Sequence, residues 1–101
     1  MGKPTTWTFL TNHAQVLLCL AETPDLRLRD VAERVGITER ATQRILSDLV
    51  ETGYVHRQRQ GRRNHYRTNP KAHMRHPAQE GIEISGLLDF LRAERSQGTA
   101  D

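Results

Sequence analysis

At 101 residues the chain has room for a single core, and a second domain would not fit. The net charge of +3 and isoelectric point near 9.6 are modest, so the placement of charge is more informative than its sum. The lone cysteine, Cys19, excludes an internal disulfide and a cysteine zinc site, and within an apolar run it reads as a small buried hydrophobe. No apolar stretch approaches the roughly 18 residues of a membrane span. No leader pattern opens the chain, so the expected location is the cytoplasm.

The first ten residues form a lead segment. Met1 to Thr6 is polar and expected to be loose, while Trp7, Phe9 and Leu10 are expected to pack the segment onto the core. Asn12 followed by Gln15 has the spacing of a capping box, with Asn12 as the cap. The run Val16, Leu17, Leu18, Cys19, Leu20 and Ala21 predicts a first helix, buried on more than one side and ending near Glu22. Thr23-Pro24-Asp25 stops it, because proline cannot continue a helix and disfavours helix at the preceding residue. Leu26-Arg27-Leu28 alternates as a short strand would, in a position to pair with a later hairpin.

From Arg29 or Asp30 a second helix places Val31, Ala32 and Val35 on one face, and Gly36 ends it. Ile37 is the apolar residue of the turn. Thr38 caps the next helix, with Glu39 in the first turn complementing the dipole. Laid out at about 100° per residue, the helix from Thr38 to about Thr52 gathers Ala41, Ile45, Leu46, Leu49 and Val50 on one face, with Thr42 inside that arc. Arg40, Gln43, Arg44 and Ser47 occupy the opposite arc, and Asp48, Glu51 and Glu39 fall at its margins or ends.

After Gly53 the pattern changes. Between Gly53 and Gln79 there are seven Arg or Lys residues and no Asp or Glu. Two short segments, Tyr54 to Gln60 and His65 to Thr68, flank Gly61-Arg62-Arg63-Asn64 and predict a β-hairpin with Val55 and Tyr66 facing inward. Its tip presents Arg59, Arg62, Arg63 and Asn64 to solvent, and a polyanion would relieve the mutual repulsion of these arginines. Across the chain Arg outnumbers Lys thirteen to two, which suits bidentate contact with phosphate and guanine. Asn69-Pro70 ends the hairpin and Lys71 to Pro77 is a basic connector. A last helix, roughly Gln79 to Arg95, has Ile84, Leu87, Leu88 and Leu91 at helical spacing with Phe90 beside them. That stripe serves either the monomer core or a dimer, and the tail from Ser96 is expected to fray.

Ala32, Gly36, the run Ile37-Thr38-Glu39-Arg40-Ala41-Thr42-Gln43-Arg44, inward Leu46 and Leu49, and Glu51-Thr52-Gly53-Tyr54-Val55 stand in a distinctive order. Arg57 to Arg59, Gly61 and His65-Tyr66-Arg67 complete it. Over about Asn12 to Pro70 this resembles bacterial winged helix-turn-helix transcriptional regulators of the MarR and ArsR type. The resemblance implies a mainly α fold with a small β-hairpin (α+β): a three-helix core, a two-stranded wing and a C-terminal helix. It implies a DNA-binding domain over residues 11–70, followed over 71–101 by the connector, helix and tail. The third helix would enter the major groove, and the wing, residues 54–68, would follow the backbone or the adjacent minor groove of double-stranded DNA. On matching positions, Arg40, Gln43, Arg44 and Ser47 become base readers, and Thr38 offers its hydroxyl and the helix N-terminus to a phosphate. Arg57, Arg59, Arg62, Arg63 and Asn64 become wing contacts.

A homodimer on a pseudo-palindromic site is expected, with Ile84, Leu87, Leu88 and Leu91 as its contact candidates. Little chain remains for the small-molecule pocket of a typical MarR protein, and any effector stays open. His73 and His76 are the only close histidine pair and lack an evident third ligand, so no metal and no cofactor are expected. The alternative reading is a winged-helix protein-interaction module, for which an Arg-rich hairpin has no ready use. An enzyme is not expected: there is no nucleotide loop, no nucleophile with a base and no carboxylate pair in an apolar setting. His13, His56 and His65 read as cap-region or wing residues.

Overall fold

Each helix of the core starts where a hydroxyl or a carbonyl can take amides that have no partner within the helix. Helix α1 spans Asn12–Glu22, and its cap is Thr11, whose hydroxyl accepts from the Ala14 amide at 3.1 Å. Asn12, expected as the cap, is the first helical residue instead. Thr11 is already in the extended conformation that a cap requires. The chain leaves α1 at Thr23, where Pro24 supplies no amide to continue it. The computed structural model describes residues 7–98, with side chains through Glu94; the expected looseness of residues 1–6 lies outside that range.

Helix α2, Leu28–Val35, begins slightly earlier than its apolar spacing suggested, with the Arg27 carbonyl accepting from Asp30 and Val31. Leu26-Arg27-Leu28 is therefore not a strand. No backbone bond joins it to the hairpin: Leu26 and Leu28 pack against the core, and Arg27 is the residue that turns the chain into α2. Gly36 ends α2 with φ +84, a left-handed conformation that a Cβ would strain, and the amides of Gly36 and Ile37 both return to the Ala32 carbonyl. Helix α3, Glu39–Glu51, follows at once, capped by the Thr38 hydroxyl accepting from Ala41 at 3.0 Å.

The hairpin is a two-stranded antiparallel sheet, β1 Val55–Gln60 and β2 Arg63–Thr68, with Val55 opposite Thr68 and Gln60 opposite Arg63. Its loop is only Gly61-Arg62, so Arg63 and Asn64 belong to β2 rather than to the tip. Gly61 carries φ +63 at the first loop position, as a tight glycine-first hairpin turn requires. Asn69 closes the base: its amide donates to the Tyr54 carbonyl at 2.8 Å and its side-chain amide to the Gly53 carbonyl at 3.0 Å.

One core joins these elements. Val16, Leu17 and Leu20 of α1 meet Val31 of α2, then Ile45, Leu46 and Leu49 of α3, with Tyr54 and Val55 at the root of the hairpin. Burying each such aliphatic side chain contributes about 1.5–3 kcal/mol. Cys19 is buried among them and forms no disulfide. Thr42 is the one buried polar residue of this core among those described, and its hydroxyl donates to the Thr38 carbonyl at 2.9 Å, so no polar atom is stranded.

Two further segments depart from expectation. Trp7 and Phe9 do not pack on the core: they are 66% and 92% exposed and meet each other edge to face, with ring centroids 5.1 Å apart. The expected final helix starts later and runs further, as α4, Ile84–Gly98. Gly81, with φ +83, and a bridge between His73 and Glu83 hold residues before Ile84 out of the helix, leaving only a short 3-10 turn at Pro77–Gln79. The tail beyond residue 98 lies outside the described range. Ile84 and Leu88 of α4 are buried in this same core, Leu87 and Leu91 are half-buried, and Phe90 is 60% exposed.

Candidate nucleic-acid interface

The buried face of α3 determines its outer face. With Thr42, Ile45, Leu46 and Leu49 inward, helical geometry leaves Arg40, Gln43, Arg44 and Ser47 exposed on the far side. Asp48, at the margin of that outer arc, is drawn aside: it pairs with His13 of α1 at 2.8 Å, which points its carboxylate toward α1. Glu39 stays in the first turn, where a negative charge complements the helix dipole.

The hairpin follows from strand alternation. The register puts Val55, Arg57 and Arg59 on one face with Asn64, Tyr66 and Thr68, and puts His56, Gln58 and Gln60 on the other with Arg63, His65 and Arg67. The first face folds toward α3. Gln43 and Ser47 from the helix and Arg57, Asn64 and Tyr66 from the strands line one open cleft, with Arg62 and Arg63 beside them. Leu26, Arg27, Leu28 and Leu46 complete it, and no carboxylate lines it.

The structure therefore does not gather all the sequence-derived candidates in one place. Arg40 and Arg44 are exposed on α3 but lie outside this cleft. Thr38 is exposed at the α3 N-terminus with its oxygen already engaged as the cap. Arg59 turns back on its own loop, its Nε donating to the Gly61 carbonyl at 3.2 Å. Arg63 donates through Nη2 to the Asp25 carbonyl at 2.6 Å. Arg27 is the cationic residue that sequence reasoning missed. Its only signal was its place in the Leu-Arg-Leu alternation, which argued for a strand and not for a cleft wall.

The histidine pair is accounted for locally. The His76 Nδ1 accepts from the Ala78 amide at 3.0 Å and caps the 3-10 turn, while the His73 carbonyl accepts from the Tyr54 hydroxyl. Among the described residues no three His, Cys, Asp or Glu side chains gather as a metal site. No described helix is long and apolar enough to cross a membrane.

Residues 10–59 match the sequence profile of the family described as the IclR helix-turn-helix domain, a match that runs from just before α1 into β1. No curated protein matches the chain. The helices and hairpin are a winged helix-turn-helix, and the matched segment is an IclR-type DNA-binding domain of the kind carried by transcriptional regulators. The resemblance to MarR and ArsR regulators reached the right class; the family matched is the IclR type instead.

Proposed function

We propose, from the IclR-type helix-turn-helix of residues 10–59, that the protein is a sequence-specific double-stranded DNA-binding transcriptional regulator. In this reading α3 enters the major groove and presents Arg40, Gln43, Arg44 and Ser47 to base edges, where Arg suits guanine and Gln suits adenine. The hairpin lies on the backbone or in the adjacent minor groove, contacting phosphates through Arg57, Arg59, Arg62 and Asn64. Those contacts set register, whereas the helix contacts set sequence. Thr38 keeps its hydroxyl hydrogen for a phosphate, next to the other amides of the α3 first turn.

The observation that carries the reading is the cleft between α3 and the hairpin. Gln43, Ser47, Arg27, Arg57, Arg62 and Asn64 bring donors from three elements to one surface that no carboxylate lines. Such a surface attracts a polyanion and releases its counterions. We place the DNA-binding domain at residues 11–70 in a cytoplasmic homodimer. Because Ile84 and Leu88 are buried in the chain's own core, the α4 contribution to that dimer falls to Leu87 and Leu91, with Phe90 next to them.

Selection of bound sequences from a random duplex library tests this. The expected result is an enriched motif of two related half-sites, one helical turn or a multiple apart, about 34–36 Å per turn. Enrichment of no motif despite binding would remove the specificity. Absence of salt-dependent retention on duplex DNA would favour a protein-interaction module.

A further inference from the structure

We propose that Asp25, in the loop between α1 and α2, is a positioning residue for the hairpin, and that Arg63 acts as a strut to it rather than as a phosphate contact. The inference rests on the DNA-binding reading for its consequence, not for its geometry. Two side chains of β2 converge on this one residue. Arg63 donates through Nη2 to its carbonyl at 2.6 Å, and the His65 Nδ1 stands 2.9 Å from its Oδ1. Both belong by strand alternation to the hairpin face opposite Arg57, Arg59 and Asn64. His65 stands away from the cleft, and Arg63, next to the turn, borders it while its guanidinium is held by the Asp25 carbonyl.

The hairpin has little else to orient it. Val55 is 1% exposed and Tyr66 packs half-buried on the core, but every residue of β1 beyond Val55 is exposed. Apolar burial therefore fixes the root, and the outer half is held by these two polar contacts. A flexible hairpin would lose conformational freedom on binding DNA; a tethered one has already lost it. The sign of the charge makes the inference sharp. The Asp25 side chain is 73% exposed on the flank of a cationic hairpin, where a carboxylate repels a phosphate backbone. Simple electrostatics makes its removal strengthen binding, whereas a positioning role makes its removal weaken binding.

The test compares Asp25→Ala with Asp25→Asn. The first removes the carboxylate beside His65 but keeps the main-chain carbonyl that takes Arg63, and the second drops the charge but keeps an oxygen able to accept from His65. Arg63→Ala breaks the second tether. In the free protein, backbone ¹⁵N relaxation should show order parameters for residues 59–65 falling from near 0.85 toward about 0.6 in the alanine variant and staying high in the asparagine variant. Unchanged relaxation in both Asp25→Ala and Arg63→Ala overturns the proposal. On a mixed-sequence duplex, Asp25→Ala should bind about three- to tenfold more weakly, and Asp25→Asn at least as tightly as the unaltered protein. Tighter binding by both overturns it. Arg63→Ala should leave the slope of affinity against salt unchanged, while Arg62→Ala lowers it by about 0.9; equal lowering makes Arg63 a phosphate contact. If the unaltered protein does not bind duplex DNA, the regulator reading fails, and the relaxation result alone decides the positioning role.

Discussion

Helix α3 and the hairpin supply the two walls of the same cleft, yet they are held in place by different physics. α3 is anchored through a buried face, Thr42, Ile45, Leu46 and Leu49, pressed against α1 and α2. The hairpin is anchored by Val55 at its root, by half-buried Tyr66, and by polar contacts to an exposed loop. An aliphatic anchor is insensitive to salt and costs several kcal/mol to remove, whereas exposed polar contacts are weak singly and are screened. The helix that would read sequence is thus the rigid wall, and the hairpin that would grip backbone is the adjustable one.

The most severe way to break this contrast is through the helix anchor. Leu46→Ala removes a side chain only 5% exposed and should destabilise the fold by about 2–5 kcal/mol, measured by denaturant unfolding. A loss below about 1 kcal/mol would mean that α3 is not held by that face. Next in size is the outer face. Gln43→Ala should reduce discrimination between specific and random duplexes by about 1–3 kcal/mol with the fold intact. An equal loss on both duplexes would make Gln43 a backbone contact and erase the division of labour between helix and hairpin.

A smaller effect is expected at the junction. Thr38→Ala removes the oxygen that takes the Ala41 amide and should cost about 1 kcal/mol of stability, read as a lowered unfolding midpoint. If it also weakens binding to all duplexes, Thr38 touches phosphate as well. The smallest effect is expected on the hairpin. Arg57→Ala should weaken binding to every sequence by roughly 0.2–1 kcal/mol and flatten the salt dependence by about 0.9 in slope. Loss confined to one sequence would give Arg57 a base-reading role and blur the contrast from the other side.

The order of elements was legible because each rests on local signals. Apolar spacing marked α1, α2 and α3, Gly36 and Thr38 marked the turn, and Gly61 between polar alternating segments marked the hairpin. The exposed arc of α3 was equally legible, since a helix with one buried face has only one other face to offer. Boundaries were less so. Thr11 displaced Asn12 as the cap because both are good cap residues and only the path of the chain selects one. α4 began at Ile84 because the preceding residues found a bridge partner in His73, a contact that spacing along the chain does not encode.

Sequence alone, then, determined the order of helices and hairpin, which arc of α3 is polar, and that the cationic residues between Gly53 and Gln79 have no acid among them. These are properties of neighbours within a few positions, where periodicity and turn chemistry act. Tertiary structure decided that Trp7 and Phe9 stand in solvent, that Ile84 and Leu88 are taken into the monomer core, and that Arg27 joins the cleft. It also decided that Arg63 and His65 turn to Asp25, across a separation of 38 and 40 residues. An exposed arginine on a strand has the same local signature whether it faces phosphate or a carbonyl of its own chain. Only the fold places the α1–α2 loop beside β2, and so only the fold assigns that side chain a partner.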